Sequence, residues 1–258
     1  MIILFANSKG GTGKSTLTVL FTQYLINYIL GKDIRMKKCS VMVVDADYRQ
    51  KSINRLRMKD MEKLAERDDF EWNYQFYPLN GTDSNNNKDE NMAFEELNQI
   101  IEVYHEQQNS GKVTHLIVDL PGTLSDLVIS MINIADIIII PFEPTEMELN
   151  ATFDFLHELS AINAKMNNEF LTGRKLFMIP NKLQKGIKYS TEVELSLCKI
   201  EQSAQQIIPS LIFTPAVPMA AQLKRTSSMA IINQQQATLV SSAFAVIVSM
   251  GGLRSSQK

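Results

Sequence analysis

Residues 8–16 read Ser-Lys-Gly-Gly-Thr-Gly-Lys-Ser-Thr, three glycines inside four positions with a Lys-Ser pair directly behind them. An apolar run too short for a helix, residues 1–6, leads into this turn. Leu17, Leu20, Phe21, Tyr24, Leu25, Tyr28 and Ile29 follow it at helical spacing until Gly31. Strand, glycine turn and helix in that order leave few folds open. Small residues let backbone N–H groups close around phosphate oxygens, with the positive end of a helix behind them. In such a loop Gly10, Gly11, Thr12, Gly13 and Thr16 form a cradle, Lys14 reaches the β- and γ-phosphates of a nucleotide, and the Ser15 hydroxyl binds Mg2+. The ordinary pattern has glycine where Ser8 stands, and Lys9 is additional to it.

The same alternation continues along the chain. Residues 40–44, 115–118 and 137–140 are apolar runs rich in branched side chains without polar alternation, which suits strands of a parallel sheet covered on both faces. Residues 176–179 and 211–213 read as further strands. Helical segments are expected around 52–66, 92–108, 147–165 and 191–207. The whole predicts a single doubly wound, mainly parallel α/β domain over residues 1–258. Residues 80–91, with their run of asparagines, read as a mobile surface loop inserted without chemistry of its own. Residues 237–253 carry no charge, but Thr238, Ser241, Ser242 and Ser249 interrupt them and they fall short of the roughly 20 apolar residues of a membrane span. A buried C-terminal helix is expected there.

Three further strand ends carry polar chemistry. One closes in Asp45-Ala46-Asp47, and carboxylates at a strand's C-terminal end face the crevice where such sheets bind ligands. Another, His115 to Gly122, resembles a Walker B strand, whose aspartate, here Asp119, serves the outer shell of a metal and whose Pro121-Gly122 begins a loop able to sense a γ-phosphate. The third ends in Asn181-Lys182, where a side-chain amide offers both a donor and an acceptor.

Lys9-Gly-Gly-Thr-Gly-Lys14-Ser-Thr resembles the deviant Walker A motif of the ParA/MinD family of ATPases, which position partition complexes, division machinery and other cargo. The Asp45-x-Asp47 and Asp119-Leu-Pro-Gly122 motifs, Ala135 to Pro144, Phe177 to Lys182 and Phe213-Thr-Pro215-Ala-Val-Pro218 match the family in order. The resemblance runs from Met1 to about Arg225, with residues 60–112 divergent. It implies a P-loop fold, ATP and Mg2+ as cofactors, and a homodimer with nucleotide between the subunits. In that arrangement Lys9 crosses to the partner's nucleotide, Asp47 orients the attacking water, and Ser15, Asp45 and Asp119 attend the metal. Asn181 and Pro215 would meet the base. Tyr48-Arg49-Gln50 stands where the family has proline after its second aspartate.

Charge bears on the cargo. Residues 1–170 sum to −9, whereas residues 171–258 sum to +7. A cationic third can serve a polyanion, and Lys182, Lys185, Lys188, Lys224 and Arg225 are candidate contacts for non-specific DNA. Cys39 and Cys198 supply neither a disulfide framework nor the motifs of iron–sulfur relatives. The last tyrosine, Tyr189, leaves no tyrosine-rich tail of the kinase type. Only Arg254 and Lys258 lie near the end, against the basic amphipathic helix that membrane cycling needs. The glycine loop begins so early that an operator-binding domain before it is not expected. The expectation is therefore a cytoplasmic, nucleoid-associated partition ATPase working with a ParB-like adaptor. Assistance to conjugative transfer through a transfer-system adaptor, or a nucleotide-gated binding module with negligible turnover of its own, are the alternatives.

Overall fold

Strands that are apolar on both faces need cover on both sides, and the chain supplies it by alternating strand and helix. The computed structural model describes residues 1–29, 41–64, 74–184, 191–224, 226–228 and 232–253. In chain order these residues form β1 (Ile2–Phe5), α1 (Lys14–Tyr24), β2 (Val41–Asp45), α2 (Ser52–Leu64), β3 (Gln75–Pro78), α3 (Glu90–Asn109), β4 (His115–Asp119), α4 (Asp126–Ile134) and β5 (Ile137–Phe142). Then come α5 (Glu146–Lys165), β6 (Lys175–Pro180), β7 (Leu183–Gln184), α6 (Thr191–Ile207), β8 (Ile212–Phe213), β9 (Pro218–Met219), α7 (Ala221–Lys224) and α8 (Gln234–Gly251). A π-helical turn, Leu25–Ile29, continues α1.

Seven strands hydrogen-bond in the order β3-β2-β4-β1-β5-β6-β8, every neighbouring pair parallel. The doubly wound α/β expectation holds. Alternation along each strand sends successive side chains to opposite faces. Ile3, Phe5, Val41, Val43, Ile117, Ile137, Ile139 and Phe177 join α1 and α8 in one core, while Ile2, Leu4, Met42, Val44, Leu116, Val118, Ile138 and Ile140 join α3, α4, α5 and α6 in the other. A two-stranded parallel ladder, β7 with β9, stands outside the main sheet.

The short β7, β9 and α7 escaped the sequence reading, and so did two larger elements, β3 and α4. β3 is half-buried along its length and ends in Pro78, and an edge strand tolerates proline because one of its sides has no ladder to feed. α4 is short and branched in composition, so its local preference leans toward strand; Leu127, Val128, Met131 and Ile132 are buried along it, and tertiary packing decides. Ser40 and the end of the expected helix 52–66 lie outside the described residues, as do Gly31, Cys39, Tyr189, Arg254 and Lys258.

The C-terminal helix begins with a capping box between Asn233 and Gln236 and ends on Gly252, whose φ of 78° is the left-handed conformation open to glycine. Phe244 is fully buried and meets Phe21 and Tyr24 edge-on, with ring centroids 5.1 and 5.5 Å away. Among the described residues no helix is long and apolar enough to cross a membrane. Phe244→Ala removes this aromatic keystone and is expected to cost about 3–5 kcal/mol of unfolding free energy, read from urea denaturation followed by circular dichroism. A loss below about 1 kcal/mol would show that α8 is not docked through this ring.

Candidate functional site

The turn from β1 into α1 is shaped by backbone conformations that a side chain would strain. Gly11 and Gly13 have φ of 84° and 92°, and Gly13 caps α1 in the left-handed region. A Cβ on Gly13 would also lie 2.3 Å from Asn181 Nδ2. Asn7 anchors the turn from below: its Nδ2 donates to the Pro141 carbonyl at 2.9 Å and Thr152 Oγ1 at 3.0 Å, and its Oδ1 accepts from the Lys9 amide at 3.2 Å. Lys14 is buried, its Nζ donating to the carbonyls of Asn7 at 3.2 Å and Lys9 at 3.1 Å. Burial lowers its pKa, and Asp119 and Asp47 pull the other way. A Cβ on Gly122 would stand 3.6 Å from Lys14 Nζ, so bare backbone walls the cradle on the Asp119 side.

Parallel register delivers the carboxylates. Asp45 and Asp119 are paired at the ends of β2 and β4, and Asp119 is paired with Phe5 at the end of β1. Asp119 accepts from Thr18 Oγ1 at 3.3 Å and from the Ser15 hydroxyl, and its complete burial pushes its pKa up to about 7. Asp45 Oδ2 accepts the amides of Ile53 and Asn54, both at 2.9 Å, and so caps the start of α2. Its Oδ1 is buried with no partner among the described residues, and burial raises its pKa to about 6. Asp47 is half-buried and turns the chain, its Oδ1 accepting from the Gln50 amide at 2.9 Å.

These groups fit Mg2+. Among the described residues no three His, Cys, Asp or Glu side chains gather into a protein-only cage. Mg2+ does not need one, because it keeps several waters and takes phosphate oxygens. The Ser15 hydroxyl, already bonded to Asp119, and the orphaned Asp45 oxygen are the donors such a site requires.

The remaining candidates are distributed less simply. Lys9 forms an ion pair at 3.7 Å with Glu148, in the first turn of α5 of its own chain. Asn181 is buried and donates through Nδ2 to the Thr12 carbonyl at 2.7 Å, so its amide nitrogen braces the loop. Lys182 donates to the Gly11 carbonyl and to Glu143 Oε2, the latter at 2.9 Å, which places its ammonium beside the phosphate loop. A cavity of about 220 Å³ opens beside the loop, walled by Gly13, Thr16, Leu17, Asn181, Pro218 and Met219 among others. Pro215 is exposed and lies off this cavity; the proline that lines it is Pro218, because the main-chain bond from Val217 N to the Pro180 carbonyl turns the later proline inward. Gly10 and Gly11 are exposed, and Thr12 Oγ1 is buried with no partner among the described residues. Asn7, Thr18, Glu143 and Glu148 were missed from sequence, where nothing in their spacing marks them.

A family model described as ATPase MipZ matches residues 1–172. No curated protein sequence matches the chain significantly. Among solved structures, McdA of Cyanothece in complex with ATP is 16% identical and superposes with a TM-score of 0.62 over 100% of this chain and 98% of its own. The cell division protein MinD of Aquifex aeolicus is 17% identical with a TM-score of 0.58, covering 97% of each chain. A plasmid partition protein of Borrelia burgdorferi bound to AMPPNP is 14% identical with a TM-score of 0.57, over 96% of this chain and 98% of that one. At these identities the likeness speaks for the fold.

The buried carboxylates set a pH dependence. Their folded pKa values, about 7 for Asp119 and about 6 for Asp45, lie above the ordinary carboxylate value, so the folded chain holds these protons more tightly than the unfolded one. Stability from this source is present in acid and lost as pH rises toward the folded pKa. Asp119→Asn is therefore expected to raise the melting temperature of the nucleotide-free protein more at pH 8 than at pH 5, measured by differential scanning fluorimetry. Equal shifts at the two pH values would remove the carboxylate charge as the cause.

Proposed function

The chain belongs to the MipZ family of ParA/MinD-type ATPases, and from that membership we propose that it partitions or positions DNA through ATP-dependent dimerisation. A single domain would carry the nucleotide site, the dimer face and the DNA-binding surface. The observation that carries the reading is the phosphate cradle, in which left-handed Gly11 and Gly13 surround a buried Lys14 opposite Asp119. Backbone amides of residues 10–15 and the Lys14 ammonium hold the β- and γ-phosphates. Ser15, Asp45 and Asp119 would hold Mg2+, which would supply positive charge to neutralise that developing on the phosphates. The base occupies the cavity beside Asn181 and Pro218. Asp47 orients water for attack.

Lys9 completes the site in trans. Its ammonium leaves Glu148 and reaches the partner's nucleotide, so that ATP joins two chains and hydrolysis releases them. The monomer turns over slowly for want of that cation. An adaptor of ParB type, together with DNA, would raise the rate by favouring the paired state.

The cationic C-terminal third supports DNA as the surface on which the ATP-bound dimer rests, through phosphate contacts that weaken with salt. Lys185, Lys188 and Arg225, and the side chain of Lys224, lie outside the described residues. The reading therefore rests on the charge of the segment as a whole rather than on assigned contacts.

Gel filtration with ATP, with ADP and without nucleotide, beside DNA retention at two salt concentrations, tests the proposal. The expected pattern is a dimer with ATP alone, retained on DNA at low salt. Lys9→Ala should stay monomeric with ATP and lose on the order of 10³ in stimulated hydrolysis, the size of a cation supplied in trans. Normal pairing and turnover in that variant refutes the trans role, and absence of any ATP affinity with Mg2+ sinks the whole reading.

A further inference from the structure

Residues 80–91 read from sequence as an insertion without chemistry, yet they are built onto the turn that carries Asp47. β3 pairs in parallel with β2 so that Pro78 lies beside Asp45, and the Leu79 amide donates to the Asp45 carbonyl at 3.0 Å. The insertion thus leaves the sheet next to the Asp45-Ala46-Asp47 turn. It closes on itself: Thr82 bridges Lys88, Asp83 accepts the amides of Asn85 and Asn87 at 2.9 and 2.7 Å, and the Asp89 amide donates to the Gly81 carbonyl at 2.9 Å. Glu96 on α3 fixes its base, one oxygen accepting the Asn80 amide at 2.6 Å.

Two clasps join this unit to the turn. Tyr48 is only 3% exposed, and Gly81 presses against its ring. A Cβ on Gly81 would come within 2.7 Å of Tyr48 Cδ2 and 2.9 Å of the Ala93 Cβ, and its φ of 51° already disfavours a side chain. Lys51 closes the other end, donating through Nζ to Asn80 Oδ1 at 2.9 Å, while its own amide donates to the Asp47 carbonyl at 2.7 Å. The Gln50 amide is bonded to Asp47 itself. The insertion thereby holds the stretch that follows Asp47 at two points, Tyr48 and Lys51, in a turn that lacks the family's proline.

We infer that the 80–91 segment, through Gly81 on Tyr48 and Asn80 on Lys51, positions the Asp47 carboxylate for hydrolysis, replacing the rigidity a proline would give. Tyr48, Gly81 and Asn80 are positioning residues: they touch neither nucleotide nor water and act through the Asp47 turn. The inference rests on the proposed role of Asp47. Because binding is set by the phosphate cradle, disturbing the brace changes turnover and leaves affinity alone.

The test measures ATPase kcat and KM, the dissociation constant of a fluorescent ATP analogue, and melting temperature for the full chain and its variants. Gly81→Ala and Tyr48→Ala are expected to lower kcat by up to about a hundredfold, the scale of a misplacement near 1 Å, with the dissociation constant unchanged. Tyr48→Phe, which keeps the ring, is expected to retain the wild-type kcat. Asn80→Ala, at an exposed position that does not threaten folding, is expected to lower kcat in the same direction by a smaller factor. Unchanged kcat in Gly81→Ala, Tyr48→Ala and Asn80→Ala while Asp47→Ala abolishes hydrolysis overturns the brace and leaves the proposed function standing. A parallel loss of affinity, kcat and melting temperature also overturns it, as the mark of a structural role only. Full turnover in Asp47→Ala overturns both.

Discussion

Everything at the nucleotide end of the sheet is organised around one buried cation. Lys14 is held in place by carbonyls of the loop that precedes it, and Asp119 and Asp47 supply the nearby negative charge. The geometry leaves the charges unbalanced. Burial works against the charge on each of them, raising the pKa of Asp119 and Asp45 and lowering that of Lys14. A polyanion with a divalent cation resolves that conflict, since phosphate oxygens solvate the ammonium and the metal solvates the carboxylates. Burying these charges without such partners is electrostatically expensive, which is the general condition for ligand binding to stabilise a fold.

The phosphate loop and the central strands were legible because their signals are local. Glycines that must take positive φ, and runs of branched apolar residues, can be read without knowing what lies across the sheet. β3 and α4 were not legible, because a proline-ended edge strand and a helix of strand-like composition are decided by their neighbours. The site divides in the same way. Lys14, Ser15 and Asp119 come together as the motifs foresee, whereas Asn181 spends its amide nitrogen on Thr12, Pro218 takes the cavity wall where Pro215 was expected, and Lys182 pairs with Glu143. Each departure is a long-range partner, and sequence spacing does not report one.

Lys9 is already engaged within its own chain. In the single chain its ammonium already has a counter-ion, Glu148, whose other oxygen is buried without a partner among the described residues. Any arrangement in which Lys9 serves another molecule must exchange that ion pair for a better one. The exchange is favourable only toward a more highly charged acceptor such as a triphosphate, so the same contact that occupies the lysine also sets its selectivity.

The odd–even division of side chains between the two cores has a further meaning. Each strand lends alternate residues to two separate interiors that share a backbone and almost nothing else. Volume lost in one interior can be regained by neighbours on that side alone, without asking the opposite layer to move. The protein behaves as a laminate: either lining can be refitted independently, while the strand tips that hold the charged groups stay where the common backbone puts them.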